Sequence, residues 1–244
     1  MELNPETEFA ALDRLVDGTW DDILTHSRLA QSIRSGSVSR ELYMIYMIET
    51  FHYTSHNARN QAAAGVMQAH HPVYAKFCFE HAAEETGHER MALHDLLSLG
   101  PGSTELALPP PLPATETLIA YLYWVSTQGN PYRRLGYSYW AESSYRHILP
   151  LVRGVKESLG LSDSQLTFFI AHSAIDDAHA RQVRSIIERT CRSAEDWQML
   201  GEAAETSLRL TGSMLESVYD QYETLRQGRP SRYDDVRRRL LAEP

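Results

Sequence analysis

The sequence predicts an all-α protein folded as one helical domain across residues 1–244. Three observations carry that reading. Apolar residues recur at three- and four-residue steps along nearly the whole chain, no stretch alternates as a strand would, and the breaks fall at Gly, Pro and helix-cap signatures. With 43% hydrophobic residues in 244, the chain can bury a substantial core without disulfides.

The elements follow in order. Gly36 ends the first helical region, and Ser39 is the expected N-cap of a helix running from Glu41 to about Gly65, with Leu42, Ile45, Tyr46, Phe51 and Tyr53 inward. Pro72 suits the first turn of the next helix, predicted to run to about Leu99. The sequence Gly100-Pro101-Gly102 stops that helix. Pro109, Pro110, Pro111 and Pro113 mark the one long loop, Gly100 to Thr115. Helix resumes from about Thr117 to Thr127, pauses at Gly129-Asn130-Pro131 and continues to about Leu159. Ser162 and Gln165 form a capping-box pattern opening a helix to about Cys191. Ser193 caps a long helix to about Leu225, and a short terminal helix follows Pro230.

Charge and targeting narrow the function classes. Lys and Arg number 23 against 32 Asp and Glu, a formal charge of −9, which disfavours a nucleic-acid partner. The Arg237–Arg239 run is mixed with Asp234 and Asp235 and fits a solvated terminal helix. Cys78 and Cys191 form no CxxC and are expected to be free, buried thiols. The N-terminus MELNPETEF lacks a signal-peptide pattern and no apolar run reaches membrane length, so a cytoplasmic protein with no membrane partner is expected.

Four places carry chemistry. The strongest is His172, Asp176 and His179: at about 100° per residue, Asp176 lies ~40° from His172 and His179 lies ~20° on its other side. Phe168, Phe169 and Ile175 suggest that this helix is sunk in the core, where buried imidazoles and carboxylates need partners or a metal. The second is Glu85 and His88, the E-x-x-H spacing of carboxylate-bridged helical bundles. There Glu84 competes for the carboxylate role, and His81 is either a ligand or a supporting partner. Third is Glu142, a lone acid in an aromatic stretch. Fourth is Glu49 with His52; the plainer reading of His52 is a core histidine bonded to a carbonyl or tyrosine. Carboxylates from four helices, imidazoles and no thiolate suit iron or manganese better than structural zinc.

These motifs resemble those of the heme-oxygenase-like di-iron oxidases of the CADD-like type. His172, Asp176 and His179 match the family's H-x-x-x-D-x-x-H, Glu142 its upstream aromatic–Glu–Ser setting, and Glu84, Glu85, Gly87 and His88 its E-E-x-G turn and histidine. Glu49 maps to the carboxylate of the first core helix. The resemblance spans about residues 41–181. It implies a seven-helix bundle, often a homodimer, that binds two Fe(II) ions and uses O2 to oxidise a small molecule. The metal ligands it implies are Glu49, Glu85, His88, Glu142, His172, Asp176 and His179. The expected grouping is Glu49, Glu85 and His88 at one iron and His172, Asp176 and His179 at the other, with Glu142 bridging or shifting during catalysis.

Relatives that consume one of their own tyrosines differ here: Ala30 and Val152 stand where that chemistry needs a tyrosine and a lysine. The expected substrate is therefore an external, amino-acid-derived molecule undergoing N-oxygenation, C–C fragmentation or nitrile formation, with a fatty-acid decarboxylating oxidase as the alternative. Tyr46, Tyr53, Tyr139, Tyr145 and Trp140 are candidate pocket walls. Two further readings keep the scaffold without the iron chemistry. One is a cofactor-free or thiaminase-like enzyme, for which Cys78 is the nearer nucleophile; the other is a non-catalytic interaction or metal-sequestering protein. A haem-binding version would have to use His26.

Overall fold

The computed structural model describes residues 3–100 and 107–241, apart from the side chains of 173–177. The described residues form twelve α-helices: α1 Pro5–His26, α2 Arg28–Arg34, α3 Arg40–Thr54, α4 Asn57–Met67, α5 Pro72–Glu85, α6 Glu89–Ser98, α7 Pro113–Thr127, α8 Arg133–Ser143, α9 Tyr145–Leu159, α10 Thr167–Thr190, α11 Ala194–Arg226 and α12 Asp234–Leu241. A single 3₁₀ turn, Asp163–Gln165, precedes α10. One to three residues separate α1 from α2, α3 from α4, α5 from α6 and α8 from α9. Counting each such pair as one interrupted stretch leaves seven long helical stretches and the short α12.

Local chemistry sets most of these boundaries. Asn4 accepts from the Glu6 N–H ahead of Pro5, and Ser39 accepts from the Leu42 N–H at the start of α3. Ser193 and Asp196 form a reciprocal capping box on α11. The Ser162–Gln165 box opens the 3₁₀ turn rather than α10 itself. Because Leu166 cannot cap α10, Asp95 of α6 does so from across the fold: its carboxylate accepts from the Thr167 and Phe168 N–H groups and the Thr167 hydroxyl.

Two predicted continuous helices are broken by turns of two or three residues, besides the one-residue break at Ser144 between α8 and α9. The first divides at Ser55 and His56. The second divides at Thr86–His88, where Thr86 is extended and Gly87 has a φ of 97°. Hydrophobic spacing persists across both breaks, so it did not mark them. The second break matters for function, because Glu85 is the last residue of α5 and His88 the cap of α6.

The packed core falls into two apolar clusters. One gathers α3, α6 and parts of α2, α9 and α11; the other gathers α1, α5, α7, α8 and the remainder of α11. Helices α8 and α11 approach closely at Gly136, where an added Cβ would sit 2.3 Å from the Leu200 carbonyl oxygen and 2.7 Å from the Ala204 nitrogen. Both obstacles are backbone. Gly136→Ala is therefore expected to destabilise the fold by about 1–3 kcal/mol, as overpacking does, read from the urea unfolding midpoint. Cys78 and Cys191 are free and buried, as expected. No described helix is long and apolar enough to cross a membrane.

Candidate metal centre

Five of the predicted residues converge, and His81 joins them. Among the described residues, two sets of donors lie within 4.8 Å of one another: His81, Glu85, Glu142 and His179, and Glu85, His88 and His172. Glu85 belongs to both. The chain delivers them by simple means. His81 and Glu85 are four residues apart on α5, so they share one face. The Gly87 turn brings His88 back beside Glu85, Glu142 comes from α8, and His172 and His179 come from α10.

The contacts are close. His81 Nε2 lies 3.2 Å from Glu142 Oε1, and His179 Nδ1 lies 3.3 Å from Glu142 Oε2. His88 Nδ1 is 3.3 Å from Glu85 Oε1, with His179 Nδ1 3.9 Å from the same oxygen. The His88 and His172 rings meet edge to face at 4.9 Å, as do His81 and His179 at 5.0 Å. His172 Nδ1 is held by the Phe168 carbonyl at 2.6 Å, which leaves Nε2 as its ligand atom.

Glu84 and Glu85, which compete in the sequence, have different places. Glu85 is buried in the cluster, while Glu84 is half-exposed and contacts the far nitrogen of His179, Nε2, at 3.2 Å. A carboxylate on the outer nitrogen of a ligating histidine fixes its tautomer and orientation.

Three expectations need correction or fall outside what is described. Glu49 does not reach the cluster. Both its oxygens are engaged elsewhere, by the Leu112 N–H at 2.9 Å, the Thr115 hydroxyl and the Tyr233 hydroxyl at 2.6 Å. It caps α7 and ties in the C-terminal segment. The grouping also changes: His172 stands with Glu85 and His88, whereas His179 stands with His81 and Glu142. Asp176 belongs to α10, but its side chain lies outside the described residues. His52 takes its plainer role, bonding the Pro109 carbonyl at 2.8 Å.

The electrostatics favour ionised carboxylates. Burial pushes the Glu142 carboxyl up, but the close imidazoles of His179 and His81 outweigh it and hold it at about 2. The same contact with Glu142 raises His179 to about 9 against the opposing effect of burial. Burial likewise opposes ionisation of Glu85, and the close contact with His88 prevails, lowering Glu85 and raising His88. Burial lowers His172, which favours the neutral ligand form.

A pH dependence follows. In the metal-free protein His179 has a raised value, so its contribution to stability is full below the ordinary 6.5 and is lost as pH rises through about 9. A metal needs the neutral ring. Metal affinity is expected to climb over that same window, with proton release on binding, both measurable by titration in buffers of different ionisation enthalpy.

The donor set fits iron. Neither nitrogen of buried His81 has an aligned hydrogen bond, nor does Nδ1 of His88, despite the nearby carboxylates. Buried polar atoms left this way are costly unless something else binds them. Carboxylate and imidazole donors without thiolate are a set that iron accepts.

Beside the centre is a cavity of about 140 Å³, reached by Glu85, His88, Glu142 and His172. Its walls come from both core clusters. Tyr46, Tyr53, Tyr145 and Trp140 line it as expected, together with Tyr43 and Tyr137. Tyr139 does not; its hydroxyl donates to Asp13 at 2.6 Å instead. No lysine or arginine is among the lining residues. Cys78 is fully buried and absent from the wall, and burial pushes its thiol up, which disfavours it as a nucleophile. His26 is exposed and bonds back to the Asp22 carbonyl, outside the wall of this cavity.

Comparison with known proteins assigns the family. The sequence model of the iron-containing redox enzymes matches residues 44–212, which include all the described members of both donor sets. The chain belongs to this family. A crystal structure of a domain of unknown function with a heme oxygenase-like fold, from Shewanella denitrificans OS217, is 44% identical, with 90% of this chain and 95% of that one aligned at a TM-score of 0.85. Two TenA homologues, one from P. horikoshii OT3 and one from Pseudomonas syringae pv. tomato DC3000, share the fold at 16% identity. Their TM-scores are 0.67 and 0.64, covering 87% and 86% of this chain and 98% and 92% of theirs. No curated protein matches the chain. This iron-containing redox enzyme therefore has an all-α, heme-oxygenase-like fold.

Proposed function

We propose that this iron-containing redox enzyme is a non-heme di-iron oxidase that uses O2 to oxidise a small, largely apolar molecule. The observation that carries the reading is the sharing of Glu85 between two donor sets, one with His81, Glu142 and His179 and the other with His88 and His172. A carboxylate has two oxygens, and one placed between two sets of imidazoles can serve an ion in each.

In this reading His81, Glu142 and His179 would hold one ion, His88 and His172 would hold the other, and Glu85 would serve both sets. Two ferrous ions, when bound, would supply electrons for the reduction of dioxygen. The chain's own residues do the rest. Glu84 holds His179 by its outer nitrogen, and the Phe168 carbonyl holds His172 by Nδ1. The aromatic and aliphatic walls exclude water and orient the substrate. Glu142 meets His81 through one oxygen and His179 through the other, which fixes its orientation.

The cavity supports the fatty-acid alternative over the amino-acid-derived substrate. An amino acid would bring a charged ammonium group into a wall with no carboxylate beyond those of the metal sets. An aliphatic acid needs only an apolar channel and a metal to meet its carboxylate. Oxygen consumption by the Fe(II)-loaded protein, with decanoic acid or a panel of amino acids, tests the proposal. Substrate-triggered uptake supports it. Iron binding without uptake across the panel would favour metal sequestration.

A further inference from the structure

The cavity wall has a hydrogen-bond donor that no group among the described residues uses. Tyr43 is 3% exposed, it lines the cavity, and its hydroxyl has no partner among the described residues. A buried phenol rarely goes without one, because the stranded group costs about 1–3 kcal/mol. The Tyr137 hydroxyl of the same wall differs from it, donating to Asn57 Oδ1 at 2.9 Å.

Tyr43 is separated from the donor sets by a row of aromatic rings. Three rings lead from it to the centre: Tyr46 at 6.2 Å, then Phe169 a further 6.3 Å on, then Phe168 at 5.2 Å, which packs on His172 at 4.4 Å. Along α3, Tyr43 and Tyr53 are ten residues apart, about 15 Å by helical rise. A second donor, the Trp20 indole N–H, is also buried in this wall without a partner. Away from the donor sets the wall thus offers neutral donors, and no lysine or arginine lines it.

We propose that Tyr43 is a specificity residue that accepts the far end of the substrate, and that this end carries an uncharged hydrogen-bond acceptor such as a hydroxyl or carbonyl oxygen on an aliphatic body. The orientation rests on the di-iron reading, which places the reacting end at Glu85, His88 and His172. The substrate class is then a medium-length aliphatic acid functionalised at its terminus.

Binding of decanoic acid and 10-hydroxydecanoic acid tests this on the anaerobic Fe(II)-loaded protein and again on the metal-free protein. One satisfied neutral hydrogen bond gives about a 5-fold preference for the hydroxy acid in the wild type. Tyr43→Phe should abolish or reverse that preference, while Tyr137→Phe, whose hydroxyl is already engaged, should keep it. An unchanged preference in Tyr43→Phe, no preference in the wild type, or no binding of either acid would overturn the proposal. Oxygen consumption is a separate readout. A preference that persists without uptake condemns the di-iron reading alone, and uptake without the preference condemns the Tyr43 assignment alone.

Discussion

Glu85→Ala is expected to cost the protein both metal ions, whereas His172→Ala should cost only one. The asymmetry follows from position. Among the described residues, Glu85 is the one common to the two donor sets, while His172 appears only in the Glu85–His88 set. Removing an outer partner of a metal ligand lowers affinity by about 10–100-fold, and loss of a shared ligand should exceed that. Oxygen-dependent activity should fall with the metal. Metal content per folded chain, measured after anaerobic loading and desalting, separates the two variants, with circular dichroism to show that both are folded. Equal metal loss in the two variants would mean that Glu85 does not link the sets.

Glu49→Ala should do the opposite, with a large loss of stability and no loss of metal stoichiometry. The carboxylate is fully buried and receives the Leu112 N–H, the Thr115 hydroxyl and the Tyr233 hydroxyl. Each donor stranded by its removal costs about 1–3 kcal/mol, so a destabilisation on the order of 3 kcal/mol or more is expected. The α7 N-terminus and the C-terminal segment should loosen first, because Glu49 joins them. Hydrogen exchange at Thr115 and Tyr233 reads the local effect, and thermal melting reads the global one. A stable Glu49→Ala protein lacking one metal equivalent would restore Glu49 to the ligand set.

These two residues also mark how far the sequence could be read. The helices were legible because their spacing and caps are local: Ser39, Ser193 and the Gly-Pro breaks lie within a few residues of what they control. The ligand types were legible for a related reason. A stripe of His172 and His179, or of His81 and Glu85, is a property of one helix. Which stripes face each other is decided by packing between helices, and periodicity holds no information about it. Spacing on one helix therefore groups His172 with His179, while the described residues place them in two sets.

Glu49 failed for the same cause. A lone acid between Ile48 and Phe51 looks alike whether its partner is a metal or a tyrosine, and Tyr233 is 184 residues away. The unused Tyr43 hydroxyl was illegible in the same sense: its neighbours in sequence do not reveal that it lines a cavity. Asp95 is a further case, since the helix it caps begins 72 residues later.

The central claim is that Glu85 joins two metal positions into one centre, and anaerobic titration of the metal-free protein with Fe(II), followed by Mössbauer spectroscopy, tests it most directly. The account predicts two irons per chain that give a coupled ferrous pair, formed together and more tightly as pH rises toward 9. A folded protein that takes up one iron or none, or two that show no coupling, would contradict it.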